Sequence, residues 1–68
     1  MDRLTTSVSN YIKDKGIQIS RLSERTQIPY GVLHPCISGR RSLKAEEFLK
    51  ICDFLEVDPK KFWGMGRF

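Results

Sequence analysis

The sequence predicts an all-α fold of five short helices in one domain, 1–68, and three observations carry that expectation. Apolar residues recur at helical spacing in one segment after another. Nowhere does the strict alternation of a half-buried strand replace that spacing. Between the periodic segments stand residues that stop or start helices: Gly16, Pro29, Gly39 and the pair Asp58-Pro59. Hydrophobic residues make up 40% of the 68 and charged residues 29%, enough of the first to fold and enough of both to argue against disorder. A core this small is marginal unless its helices pack well.

Helix one is expected from about Leu4 to Lys15, with Leu4, Val8, Tyr11, Ile12 and the Lys15 stem on one face. Gly16 ends it in a left-handed conformation. Ile19, Leu22, Ser23 and Thr26 then define a short helix two that starts near Gln18 or Ile19. Gln27-Ile28-Pro29 is a turn, with Pro29 at or just before the next first helical position, where a missing N–H costs nothing. Tyr30, Leu33, Cys36 and Ile37 form the stripe of helix three, which Gly39 ends. Arg40-Arg41-Ser42 is a basic loop. Helix four carries the longest stripe, Ala45, Phe48, Leu49, Cys52 and Leu55. Ser42 or Lys44 is its N-cap, and Glu46 and Glu47 favour its dipole. After a Glu56-Val57 link, an Asp58 cap and Pro59 start helix five, Lys60 to Trp63, which frays at Gly64 and Gly66.

The net charge is +4, and residues 16–41 hold +3 of it as Arg21, Arg25, Arg40 and Arg41 against Glu24. That placement suits a densely negative partner such as nucleic acid. Cys36 and Cys52 fall on apolar helix faces and are expected to be buried and reduced. The N-terminus lacks the apolar run of a secretory signal and no stretch is long enough to span a membrane, so a cytoplasmic chain is expected. His34 beside Cys36, with Cys52 distant, offers too few ligands for a closed zinc site. A single histidine and no nucleophile–base spacing leave no catalytic centre. No metal, cofactor or small-molecule ligand is implied.

Residues 18–38 thus read as a short helix, a tight turn and a second short helix, followed by a basic loop. This is how a small protein seats a helix in the DNA major groove. Alone, helices so short are unstable. With helices one, four and five covering their apolar stripes they become a rigid bracket. The bracket presents the outer face of helix three: Tyr30, Gly31, His34, Pro35 and Ser38. The start of helix two, at Gln18 and Ile19, should aim backbone N–H groups at a phosphate. Arg40 and Arg41 should clamp the DNA backbone or enter the minor groove.

Over roughly residues 4 to 63 the chain resembles the lambda repressor and Cro-like (XRE) family of helix-turn-helix regulators. Leu22, Ile28, Leu33 and Cys36 take that family's core positions. Ser23 takes the small-residue position where the two helices approach. Ser38-Gly39-Arg40 matches the loop after the recognition helix, and residues 52–62 match the closing pattern. The resemblance implies a lambda-repressor-like domain and a sequence-specific, double-stranded-DNA-binding transcription regulator of the small phage or prophage type, acting by occupying an operator. Three positions depart from the pattern. Gln27 replaces the usual turn glycine, at a cost of about 1 kcal/mol if left-handed. Gly31 and Pro35 replace base-reading side chains. Pro35 removes the hydrogen bond to the Gly31 carbonyl, so helix three is either kinked or short with a loosened end.

Phe62, Trp63, Met65 and Phe68 make the C-terminus apolar. Phe62 and Trp63 can close the core, but Met65-Gly66-Arg67-Phe68 is hard to bury in so small a domain, and a symmetric homodimer through helix five and the tail 64–68 is expected, setting two recognition helices roughly 34 Å apart. Gly31 and Pro35 also fit a different class of function, a protein-binding module or antirepressor that engages another regulator instead of reading DNA.

Overall fold

The computed structural model describes residues 2–62. Four helices run in order: α1 (Arg3–Lys15), α2 (Ile19–Thr26), α3 (Tyr30–Ile37) and α4 (Ala45–Leu55). The last described residues, 60–62, open a fifth. No strand occurs among the described residues, and none of their helices is long and apolar enough to cross a membrane. The five-helix, all-α architecture expected from the apolar periodicity is therefore the observed one.

Each helix ends for a local reason. The Asp2 carboxylate opens α1 by accepting from the Thr5 N–H at 2.6 Å. Gly16, at φ 70°, closes it by donating to the Ile12 and Lys13 carbonyls. Gln27 closes α2 at φ 62° and thus adopts the left-handed conformation that its place in the turn demands. Thr26 supports it there, accepting from the Ile28 N–H at 3.4 Å. Ser23 adds a bond from its hydroxyl to the Ile28 carbonyl, which explains a small polar residue where α2 meets the turn. Pro29 is the N-cap of α3, and its carbonyl receives the N–H groups of Val32 and Leu33, each at 2.9 Å.

Pro35 lies inside α3, which runs past it to Ile37. Gly39 at φ 90° lets the Arg40 N–H return to the Pro35 carbonyl at 2.8 Å, and the Ser38 N–H bonds the His34 carbonyl at 2.9 Å. This closing pattern gives the carbonyls of His34 and Pro35 their partners. The helix is short, and its end is tied down instead of loose. Lys44, not Ser42, is the N-cap of α4, and the Glu47 carboxylate accepts its N–H at 2.9 Å. Glu56, at φ 58°, closes α4 as a second left-handed non-glycine residue. Asp58 then accepts from the Lys60 N–H at 2.9 Å, the cap expected ahead of the fifth helix.

The core joins Val8 and Ile12 of α1, Leu22 of α2, Leu33 and Ile37 of α3, and Phe48, Ile51 and Cys52 of α4. Ile28 and Phe62 complete it. Phe62 meets Tyr11 edge-on at 5.5 Å between ring centroids and Phe48 at 6.0 Å. Phe62, assigned above to a dimer face or to the core, is 2% exposed and belongs to the core. Its proposed companions Trp63, Met65 and Phe68 lie outside the described residues.

The stripe of α4 needs one correction. Leu49 is 53% exposed, while Ile51 is fully buried. The buried face is Phe48, Ile51, Cys52 and, partly, Leu55, at i, i+3, i+4 and i+7. Ala45 is also exposed. Both phases through this apolar segment have helical spacing, and only the packing of α4 against α2 selects one. The buried face of α1 holds two residues that hydropathy passes over, Thr5 and Ser9. The Ser9 hydroxyl donates to the Ile37 carbonyl at 2.6 Å, and the Thr5 hydroxyl accepts from the Leu43 N–H at 2.9 Å.

The chosen phase sets an expected contrast in thermal or urea unfolding. Ile51→Ala costs about 2–5 kcal/mol, whereas Leu49→Lys changes stability by no more than about 0.5 kcal/mol.

Candidate nucleic-acid interface

The bracket of α2 and α3 gathers the residues proposed from sequence. Gln18, the exposed N-cap of α2, makes no side-chain cap bond. The Leu22 N–H reaches the Gln18 carbonyl at 3.0 Å, so the N–H groups of the first turn precede the helical ladder. Ile19 is half-buried and packs on the core. Gln18 and Tyr30 line one shallow cleft of about 470 Å³, with Arg21, Ser20, Ser23 and Glu24. The cleft brings the start of α2 and the start of α3 to one surface. Arg21 stands beside Gln18 in it.

Along α3, Tyr30 is 50% exposed and stacks on His34, with ring centroids 5.6 Å apart and planes 23° from parallel. Gly31 is exposed and Pro35 half-buried. Ser38 is exposed at the end of the helix, its hydroxyl donating to the His34 carbonyl at 3.0 Å. No residue of Tyr30–Ile37 carries a formal charge with His34 neutral.

The two loop arginines part company. Arg40 is exposed, while the Arg41 guanidinium forms a fork with Glu47, Nη1 to Oε1 at 3.0 Å and Nη2 to Oε2 at 3.3 Å. Arg41 also donates to the buried Cys36 sulfur at 3.0 Å. The bond to Glu47 and then that to Cys36 hold the Arg41 pKa above its already high ordinary value. Burial pushes the Glu47 carboxyl up, but the bonds from Arg41 and the Lys44 backbone outweigh it, so its pKa falls below the ordinary 4.5. Glu47 therefore caps α4 and neutralises Arg41 at once. Its role at the helix start was legible in the sequence; its pairing with Arg41, which needs the fold of the loop, was not. Cys36 and Cys52 are both free and buried. Burial, and next the charge of Asp58, raises the Cys52 thiol pKa.

Two short helices locked at a left-handed turn, with the outer face of the second left open, define a helix-turn-helix DNA-binding domain. The chain belongs to the Cro/C1-type helix-turn-helix DNA-binding family, whose model matches residues 7–62. No curated protein and no solved structure matches the chain. The protein is thus a DNA-binding transcription regulator of Cro/C1 type.

The Arg41–Glu47 fork sets two expectations. With Glu47→Gln, the amide still accepts from the Lys44 N–H but no longer offsets the Arg41 charge. The slope of log K against log salt for duplex DNA then steepens by about 0.9 as one more cation meets phosphate. Glu47 has a depressed folded-state pKa, so its contribution to stability is complete above 4.5 and disappears as pH falls through the folded value. Asp2, lowered mainly by its hydrogen bonds with Thr5, behaves alike relative to 3.8. Melting temperature accordingly declines as pH falls below 4.5, less steeply in Glu47→Gln than in the wild-type protein.

Proposed function

We propose that the protein regulates transcription by occupying a specific operator in double-stranded DNA, with α3 laid in the major groove. The observation that carries this reading is the shared surface of Gln18, Arg21 and Tyr30, continued along α3 by Gly31, His34, Pro35 and Ser38. In it, the N–H groups at the start of α2 meet one phosphate and Arg40 another, on either side of the groove. Tyr30 and His34 supply the polar contacts to base edges. Arg41 works mainly within the fold, as the partner of Glu47.

Two copies bind a two-fold symmetric operator, their α3 helices roughly 34 Å apart. The apolar sequence of Trp63, Met65 and Phe68 supplies the material for that pairing, with Phe62 assigned to the core of each copy. A second reading draws support from the charge-free α3 face: a surface for another regulator protein, with DNA bound weakly or not at all.

Selection of bound sequences from a random duplex pool tests both. Enrichment of a symmetric site with half-sites one helical turn apart is the expected result. No retardation of random duplex by tens of micromolar protein at low salt favours the protein-binding surface instead. On the enriched site, Arg40→Ala reduces the salt slope by about 0.9 and leaves the preferred sequence unchanged. Tyr30→Ala and His34→Ala each relax preference at a particular base pair. Unchanged preference in both removes direct readout by these side chains.

A further inference from the structure

Residues that read base edges ordinarily project polar side chains into the groove. At Gly31 and Pro35, α3 projects none. The fold does not require glycine at position 31. The residue is helical, and a Cβ built there meets no heavy atom within 4 Å. Glycine weakens a helix interior relative to alanine, so position 31 gives up stability without a packing reason. Pro35 stands four residues on, one above the other along the helix. On the adjacent row Tyr30 and His34 stack into a wall, their ring centroids 5.6 Å apart. The face is therefore a lane without a long side chain, floored by the Gly31 backbone and the Pro35 ring and walled on one side by the two aromatic rings. No lysine, arginine, aspartate or glutamate lies within Tyr30–Ile37.

The major groove of DNA presents one apolar group, the 5-methyl of thymine. The geometry points to the Gly31–Pro35 lane as a seat for pyrimidine 5-methyl groups, with Gly31 as a specificity-determining residue through the side chain it lacks. This inference rests on α3 lying in the major groove. Without a Cβ at position 31 the helix backbone approaches the base pairs closely enough for a methyl group to lie between Gly31, Pro35 and the Tyr30–His34 wall. Thymine and 5-methylcytosine carry the same methyl group and are equivalent in this contact.

The test uses the duplex enriched by selection, resynthesised with deoxyuridine in place of each thymidine in turn. Burial of one methyl group predicts a loss of about 4-fold in affinity at one or two thymines of each half-site. Replacing such a thymine by 5-methylcytosine, with its partner changed to guanine, retains more affinity than replacing it by cytosine. Gly31→Ala places its own methyl group in the lane. It is expected to melt no lower than the wild-type protein and to lose the thymine-over-uracil preference. If every uracil duplex binds within 1.5-fold (on the order of the scatter of such titrations) of the thymine duplex, or if Gly31→Ala keeps the full preference, the lane has no such role. Selection that enriches no sequence overturns the operator reading and this inference together; enrichment without thymine-over-uracil preference overturns only this one.

Discussion

The orientation of α3 depends on two hydroxyl groups that face inward from α1. Ser9 donates to the carbonyl of Ile37, the last residue of α3, and Thr5 accepts from the N–H of Leu43, just ahead of α4. The segment between those anchors contains Ser38, Gly39, Arg40 and Arg41. Backbone groups at helix ends have no partner within their own helix, and burying them unpaired is expensive. Thr5 and Ser9 meet that need on the same face that buries Val8 and Ile12. One helix thus supplies both apolar cover for the bracket and the pegs that fix its exposed helix.

A second layer of restraint lies in the turn. Gln27 is held left-handed, Thr26 accepts from Ile28, and Ser23 donates to the Ile28 carbonyl. Ile28 itself is buried. The cost of a non-glycine residue in that conformation is offset by these two hydrogen bonds and the burial of Ile28, which keep α2 and α3 at one fixed relation. The close of α3 is equally local: Gly39 turns the chain so that Arg40 bonds the carbonyl of Pro35. A proline that would weaken a long helix is tolerated here because it withdraws one donor only, from the carbonyl of the exposed Gly31, and its own carbonyl takes part in the closing pattern.

Much of this was legible in the sequence, because the punctuation is strong. Gly16, Pro29, Gly39 and Asp58-Pro59 mark the helix boundaries to within a residue or so, and the stripes through Leu22, Leu33 and Phe48 fix the core. The misplaced residues share a physical cause. Leu49 and Ile51 are both apolar and both fit a helical period, so periodicity could not choose between them. Thr5 and Ser9 are buried through hydrogen bonds to distant carbonyl and amide groups, which hydropathy does not register. Arg41 was legible as a basic loop residue, but not its fork with Glu47, which exists only once the loop folds back on α4. In the candidate site, the face of α3 followed from spacing alone. The closeness of Arg21 to Gln18 and Tyr30 needed the angle between the helices.

The pairing of Arg41 with Glu47 divides the surface of this regulator into a cationic rim and a neutral centre. Arg21 and Arg40 stand at the rim, and α3, with no formal charge, occupies the middle. Attraction between rim and phosphates is the same at every register of a duplex, and it permits sliding along the DNA contour. A neutral middle adds little friction to that motion, since it forms no strong bonds to break at each step. In the proposed DNA complex, α3 brakes that motion only where its contacts fit the base edges. The glycine and proline of α3, laid in the groove as proposed, act on the search itself: they set how briefly the protein dwells at every wrong address.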